Sequence, residues 1–277
     1  NYLDKEFEPS SFRNFDTADA EIVIANHKTN SNCKFAVYYL KENLYRKPRK
    51  KELIEQWRRR CSYVALCEGD DYWISEEKLE RQAKFMDEHP DCAMSFHNAV
   101  SHWEDNSVPD VLFSNIEFTE YSGLEIYETW MVPTASTMIR KEVFDTDFYL
   151  HIKSVKDFCF GDICLFISAS KYGKLLGLPM VGSVYRRHRE GLVTTTPHFR
   201  RFQHNLAIYR EMGEEYKHRA IIGMVRNAYR SILKNEKSGI PIKMLFICIK
   251  LAPAYSLSHF LYWPCSSLIR KVKSCLK

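Results

Sequence analysis

The chain lacks the signatures of a disulfide framework, a zinc module, a membrane span or a disordered polymer. Its nine cysteines include no Cys-x-x-Cys pair, and no histidine stands at zinc-finger spacing from Cys159 or Cys164. The cysteines therefore read as reduced, buried thiols of a cytosolic protein. No secretory signal pattern opens the sequence. Long apolar runs are missing too. The longest uncharged stretch, Leu251 to Ile269, has 19 residues but includes two prolines and four serines, whereas a bilayer span needs about 20 predominantly apolar residues. Hydrophobic residues at 45% and aromatics at 14% exclude a disordered chain. The 277 residues suffice for one large α/β domain, or for one domain with an appendage.

The most informative segment is Leu66-Cys67-Glu68-Gly69-Asp70-Asp71-Tyr72-Trp73-Ile74. The apolar run Tyr63-Val64-Ala65-Leu66 ends in three acids around one glycine, the pattern of a buried strand that delivers carboxylates to its C-terminal edge. Carboxylates this close repel one another unless a cation or a ribose hydroxyl lies between them. Hard-oxygen clusters suit Mg²⁺ or Mn²⁺, which keep sites for a substrate's phosphates. A solvated acidic turn is the equally weighted alternative at this point. Ser75 then reads as the cap of a helix with Glu76 and Glu77 in its first turn and Leu79, Ala83 and Met86 as its apolar stripe. Pro90 ends it, and a strand from Cys92 to Phe96 leads into His97-Asn98.

In order and spacing, the segment from Ala65 to Asn98 resembles the nucleotide-sugar core of family 2 glycosyltransferases with the GT-A fold. The matching parts are Glu68-Gly69-Asp70-Asp71, Tyr72-Trp73, Lys78-Leu79-Glu80-Arg81-Gln82 and Phe96-His97-Asn98. The resemblance implies a Rossmann-like mixed sheet flanked by helices, with inverting transfer of a sugar from a UDP-linked donor to a hydroxyl. The implied acceptor is a saccharide or polyprenyl-linked saccharide used in surface polysaccharide assembly. Asp71 is then the ligand of Mn²⁺ or Mg²⁺, with Asp70 sharing that role or holding the ribose, and Glu68 lies on the donor side. Trp73 falls on the acceptor side. Thr134 to Arg140 resembles the family's hydroxyl-rich strand, which places Ser136 and Thr137 there as well; an ordinary strand of a mixed sheet is the equal alternative.

Phe160-Gly161-Asp162-Ile163 opens an apolar helix that closes near Gly173. In the family, the Gly-Asp element supplies the carboxylate that deprotonates the acceptor. A helix N-terminus is expected to keep Asp162 ionised, as a general base must be. Lys174 to Leu178 and Val181 to Tyr185 read as two closing strands. They lead into Tyr185-Arg186-Arg187-His188, similar to the family's loop over the donor diphosphate. That likeness makes His188 a metal ligand and Arg186 and Arg187 partners of the leaving group.

Upstream, Ala20 to Ala25 and Phe35 to Leu40 read as strands. The family's uracil-binding acid after the first of these is replaced here by Asn26, which still offers an acceptor and a donor to a base edge. Arg46, Lys47, Arg49 and Lys50 form a basic loop that reaches diphosphate or stays solvated. Pro48 opens a helix whose Leu53, Ile54 and Trp57 face a sheet. Strand, helix and the strand before the acids make a right-handed crossover unit. The family's opening strand precedes Asn1-Tyr2, so the expectation is an N-terminally incomplete catalytic domain over 1–199.

Residues 200–277 make a basic helical region. They hold 15 Lys plus Arg against 4 Asp plus Glu, a balance of +11, while 1–199 carries −6. Leu206, Tyr209, Met212, Ile221, Ile222, Val225, Tyr229 and Ile232 recur at helical spacing. Two readings of the apolar end stand level. One is an interfacial helix pair anchored by Tyr255, Tyr262 and Trp263, with Arg270-Lys271-Val272-Lys273 facing an anionic membrane on the inner face of the plasma membrane. The other is a helical cap on the sheet. Three rival functions remain: a nucleotide-sugar-binding relic without turnover, a nucleic-acid binder without a recognised motif, and a glycoside hydrolase with paired carboxylates.

Overall fold

A computed structural model describes residues 8–30, 32–44, 53–55, 57–191, 195–234, 236, 240–253 and 256. The contacts divide the chain between Cys61 and Ser62 into two units, a boundary upstream of the one expected at 199/200.

The first unit is a three-stranded antiparallel sheet in the order β1 (Arg13–Asp16), β2 (Ala20–Asn26), β3 (Lys34–Leu40). Local chemistry closes both hairpins. Thr17 Oγ1 accepts the N–H of Ala20 at 3.0 Å and donates to its carbonyl at 2.8 Å. His27 Nδ1 accepts the N–H groups of Thr29 and Asn30, both at 3.2 Å. The expected crossover is therefore not formed. β3 pairs with β2 across a short polar turn, from Ala20↔Leu40 to Asn26↔Lys34, and the strand before the acids belongs to another sheet. The stretch from Lys41 to Ser62 is long enough for a crossover, but β3 takes β2 as its partner and β4 takes β9, each in its own sheet. Downstream, Trp57 Nε1 donates to Tyr38 on β3 at 2.5 Å, while Ile54 is exposed. The basic residues Arg46, Lys47, Arg49 and Lys50, with Pro48, lie outside the described residues.

The second unit is α/β, with a mixed seven-stranded sheet flanked by helices. Its main path runs β4 (Tyr63–Ala65), β9 (Met138–Arg140), β6 (Cys92–Trp103), β10 (Lys174–Arg187), β5 (Tyr72–Trp73); β7 (Val111–Leu112) pairs with β6 and β8 (Glu120–Tyr121) with β10. β6 and β10 are parallel, from Lys174↔Cys92 to Arg187↔Trp103. β9 is antiparallel to both β4 and β6, so β4, β6 and β10 all point the same way. Both long strands exceed the expectation. Cys92–Trp103 continues past Asn98 because its next residues keep a parallel partner, and Lys174–Arg187 absorbs register shifts near Pro179 instead of breaking in two.

The helices are α1 (Lys78–Glu88), α2 (Gly123–Thr129), α3 (Asp147–Ser154), α4 (Gly161–Tyr172), α5 (His198–Glu211), α6 (Glu214–Leu233) and α7 (Ile240–Leu251). α4 lies in the main core with Phe96, Ile126, Ile139 and Phe166, and Ala207, Ile208, Tyr216 and Ala220 bring α5 and α6 into the same core. A second cluster, Phe202, Leu206, Met224, Val225, Ala228, Met244 and Cys248, joins α5, α6 and α7. The helices after residue 198 thus pack as a cap. No described helix is long and apolar enough to cross a membrane, and the anchors Tyr255, Tyr262, Trp263 and 270–273 lie outside the described residues.

α1 departs from its expected face. Glu77 occupies the N-cap without a side-chain bond, and Ser75 contributes only its carbonyl, at 3.3 Å from the N–H of Lys78. Leu79 is exposed, while Lys78, Gln82, Phe85 and Met86 are buried. The reason is a polar lock. Lys78 Nζ donates to Gln82 Oε1 at 2.8 Å and lies 4.5 Å from the Trp73 ring centre; Gln82 Nε2 donates to the Ser136 carbonyl at 3.0 Å. Burial brings the Lys78 pKa down to about 8. At the other end of α1, Arg140 donates to the carbonyls of Met86 and Cys92, both at 2.7 Å, placing a cation at the helix C-terminus.

Gln82→Leu removes the acceptor of a buried ammonium and the donor to a buried carbonyl. Bonds of this charged kind contribute about 1.5–3 kcal/mol. Urea unfolding of Gln82→Leu should show a loss of at least that size, with the denaturant slope unchanged.

Candidate functional site

The acidic segment leaves β4 at one edge of the sheet and enters β5 at the other. It therefore passes the C-terminal ends of β6 and β10, where α/β sheets receive ligands. Glu68 to Asp71 is a tight turn, closed by the Asp71 N–H on the Glu68 carbonyl at 3.1 Å. β5 is held by antiparallel pairing to Ser183 and Val184 and by Trp73 Nε1 donating to the Ala135 carbonyl at 3.0 Å.

Arg186 fixes the turn from the end of β10. Its backbone N–H donates to Asp71 Oδ1 at 2.9 Å, its Nε donates to the Asp70 carbonyl, and its Nη1 meets Glu104 at 3.0 Å. The second carboxylate oxygen of Asp71, Oδ2, is buried and has no hydrogen-bond partner. Burial, with the Asp70 charge adding to it and the Arg186 N–H opposing, raises the Asp71 pKa to about 6. Asp70 Oδ2 lies 3.4 Å from His188 Nε2.

Glu68 is exposed as a residue, but its carboxyl is crowded. Partial burial, then the charges of Asp162, Asp71 and Asp70, raise its pKa to about 7 against a hydrogen bond from Thr134. The influence of Asp162 on Glu68 brings the carboxylate at the start of α4 within electrostatic reach of the turn. Asp162 itself is half-buried. Burial raises its pKa, and the N–H groups of Ile163 and Asp162 only partly counter this. The helix N-terminus favours the charged form, but loss of solvent outweighs it. The outcome is a more basic carboxylate, suited to taking a proton.

Not all expected residues join this group. Ser136 and Thr137 are fully buried, their hydroxyls donating to the carbonyls of Pro133 at 2.7 Å and Thr134 at 2.8 Å, so they hold a turn closed off from solvent. Arg187 lies with its guanidinium 5.7–5.8 Å from the ring centres of Trp103, Phe113 and Tyr185, and its Nε is buried without a hydrogen-bond partner. Asn26 ends β2 in the first unit with its side chain exposed. Two partners had no signal beyond the motif: Thr134, which reaches Glu68, and His97, buried with Nδ1 2.8 Å from the Asn98 carbonyl and Nε2 unpartnered.

Among the described residues, no group of three or more His, Cys, Asp or Glu could hold a metal ion by itself. The donors nevertheless fit a hard cation that completes its shell elsewhere. Asp71 Oδ2 is a buried oxygen without a partner, and Asp70 beside His188 adds an oxygen and a nitrogen. Mg²⁺ characteristically takes one or two protein carboxylates and draws its other ligands from water and substrate phosphates.

No family model matches the chain. It is similar to uncharacterized proteins of Mycobacterium bovis and Mycobacterium tuberculosis, each 29% identical over 143 residues. The match covers 48% of this chain and 37% of each relative. The chain thus spans little more than a third of the length of these relatives.

A carboxyl with a raised pKa stabilises the fold while protonated and loses that contribution as pH rises through its folded value. For Glu68 and Asp71 the window runs from their ordinary values, 4.5 and 3.8, to about 7 and about 6. In EDTA the melting temperature should fall as pH rises through this window, and fall less in Glu68→Gln. Manganese should restore the wild-type loss above the window and change nothing below it.

Proposed function

We propose that this chain carries the catalytic core of a family 2, GT-A-type inverting glycosyltransferase. The donor is a nucleotide-diphospho-sugar, UDP-linked, and the acceptor is a hydroxyl of a saccharide or lipid-linked saccharide in surface polysaccharide assembly, at the inner face of the plasma membrane. The observation that carries this reading is the unpartnered, buried Oδ2 of Asp71 in a turn of acids at the C-terminal ends of three co-directional strands. A bare acidic turn would leave its oxygens to water, whereas this oxygen is closed off from it.

Asp71, with Asp70 and His188, would hold Mn²⁺ or Mg²⁺, which when bound offsets charge on the departing diphosphate. Arg186 keeps Asp71 in place and adds positive charge beside it. Glu68 lies between the turn and Asp162 in its electrostatic influence and so senses both. Asp162 takes the acceptor proton, and its raised pKa strengthens it as a base. Trp73 walls the acceptor side from a fixed position on the Ala135 carbonyl.

A second reading, nucleotide-sugar binding without turnover, is favoured by one observation. β2 and β3, which the resemblance makes donor-side strands, form an antiparallel hairpin in their own unit, with Asn26 where the family has an acid.

Asp162→Asn should abolish sugar transfer from a panel of UDP-sugars while leaving UDP affinity within about two-fold of wild type. Asp71→Ala should abolish the manganese dependence of UDP binding by calorimetry. Turnover retained by Asp162→Asn would remove the base from the reading. Binding by wild type without any transfer favours the second reading.

A further inference from the structure

Away from the acidic turn, a cavity of about 300 Å³ opens between the end of α2, the residue before α4, and the facing sides of α5 and α6. Four arginines line it, Arg201, Arg219, Arg226 and Arg230, against one carboxylate, Glu128. Arg219, Gly223, Arg226 and Arg230 follow at helical spacing on one face of α6, so the concentration of charge is built into the sequence. Three of the four arginines are half-buried.

The wall is constructed with care for closeness. A Cβ on Gly223 would come 2.3 Å from Asn205 Oδ1, and Tyr127 donates to that same oxygen at 2.5 Å, which ties α2, α5 and α6 together at the cavity. Arg201 Nε donates to the Thr196 carbonyl at 3.1 Å and Arg219 Nη2 to the Glu128 carbonyl at 3.0 Å. Arg201 also stacks 5.9 Å from the Phe160 ring centre. Its pKa is lowered, first by burial; the electrostatic influence of Cys159 and Glu236 opposes this, and Arg230 adds repulsion. His204, also in the wall, is 1% exposed, and neither ring nitrogen has a hydrogen-bond partner. Guanidinium groups drawn together out of water repel, and an oxyanion that takes their paired N–H donors removes the repulsion.

We propose that this cavity binds the diphosphate group of a ligand other than the donor nucleotide. Its volume lies at the lower end for small-molecule sites, which suits one or two phosphates and not a run of nucleic-acid backbone. Phe160 forms part of the wall, and Asp162 is two residues further along the same segment. Assigning the anion to the acceptor rests on the glycosyltransferase reading; binding of the anion does not.

Calorimetry of the full chain with inorganic pyrophosphate in EDTA tests the site, because no cation is then available at the acidic turn. One site is expected, weakened at least ten-fold in Arg226→Gln and in Arg201→Gln, weakened less in Arg226→Lys, which keeps the charge but not the paired donors, and unchanged in Asp71→Ala. Circular dichroism and melting curves of the Gln variants identify any that fail to fold, and the Lys variant then decides. Absent binding, or equal affinity in wild type and folded Gln variants, overturns the proposal. So does loss in Asp71→Ala with the arginine variants unaffected, which puts the anion at the turn. A prenyl diphosphate that binds more tightly than pyrophosphate through the same arginines identifies a lipid-borne source; equal affinity identifies a soluble one. Both outcomes support the site. Lack of sugar transfer leaves these results standing, so the two readings fail separately.

Discussion

Like charges held together are the constraint around which the second unit is arranged. Glu68, Asp70 and Asp71 share four residues of chain, and Asp162 acts on Glu68 from the start of α4. Two close carboxylates at the edge of a protein repel by a few kcal/mol, and a flexible loop would relieve this by swinging them into water. Here the swing is blocked on both sides. Arg186 takes one Asp71 oxygen and the Asp70 carbonyl, and β5 is pinned by its pairing to β10 and by Trp73 on the Ala135 carbonyl. With relief by movement closed off, two remain: uptake of protons, seen as the raised values of Glu68 and Asp71, or uptake of a cation.

The lock behind the turn explains an otherwise costly choice. A fully buried lysine loses much of its hydration, and Lys78 recovers only part of it through Gln82 and the face of Trp73. In return, one chain of contacts connects the strand after the acids (Trp73), the helix after them (Lys78 and Gln82) and the 3₁₀ turn before β9 (Ala135 and Ser136). The turn is thereby braced by elements from three separate parts of the sequence. A hydrophobic substitute for Gln82 could fill the space but could not bind the Ser136 carbonyl, and that carbonyl would then be buried without a donor.

Local pattern was readable from sequence, and choice of partner was not. β2, β3 and α4 appear within a residue or two of where alternation, apolar runs and the closing Gly173 put them. The acids were legible as candidates because they stand where an apolar run ends in a polar cluster, whereas Arg186, His188 and Asp162 became candidates only through the family resemblance. What failed depends on contacts far along the chain. Whether β3 pairs with β2 or feeds a crossover is undecided by its own seven residues. Leu79 was chosen for the buried face of α1 on hydrophobicity, but a lysine can be buried when a glutamine four residues on and a tryptophan five residues back receive it. Ser136 and Thr137 read as ligand-facing hydroxyls, yet the 3₁₀ turn gives them nearer acceptors in Pro133 and Thr134. The side chain of Arg187 points among rings contributed by β6, β10 and Phe113, a grouping no local window contains.

The basic balance of the last 78 residues was read as one feature, an attraction to an anionic surface, and the helices divide it. On α6 the arginines at 219, 226 and 230 share one side, while Ala220, Met224, Val225 and Ala228 enter the two apolar clusters. A solvated charged face would carry acids among its bases and would vary freely in direction. This one has a close helix crossing at Gly223 and an aromatic floor from Phe160 and Trp130, and it curves into a cavity. Concave basic surface of low exposure focuses its field inward, where it concentrates a small anion, and does little for a flat membrane. The half-buried charges at 219 and 226 therefore contribute little to any attraction between the tail and a lipid surface, and that attraction would depend on the exposed Arg230 and on the lysines and arginine after residue 233.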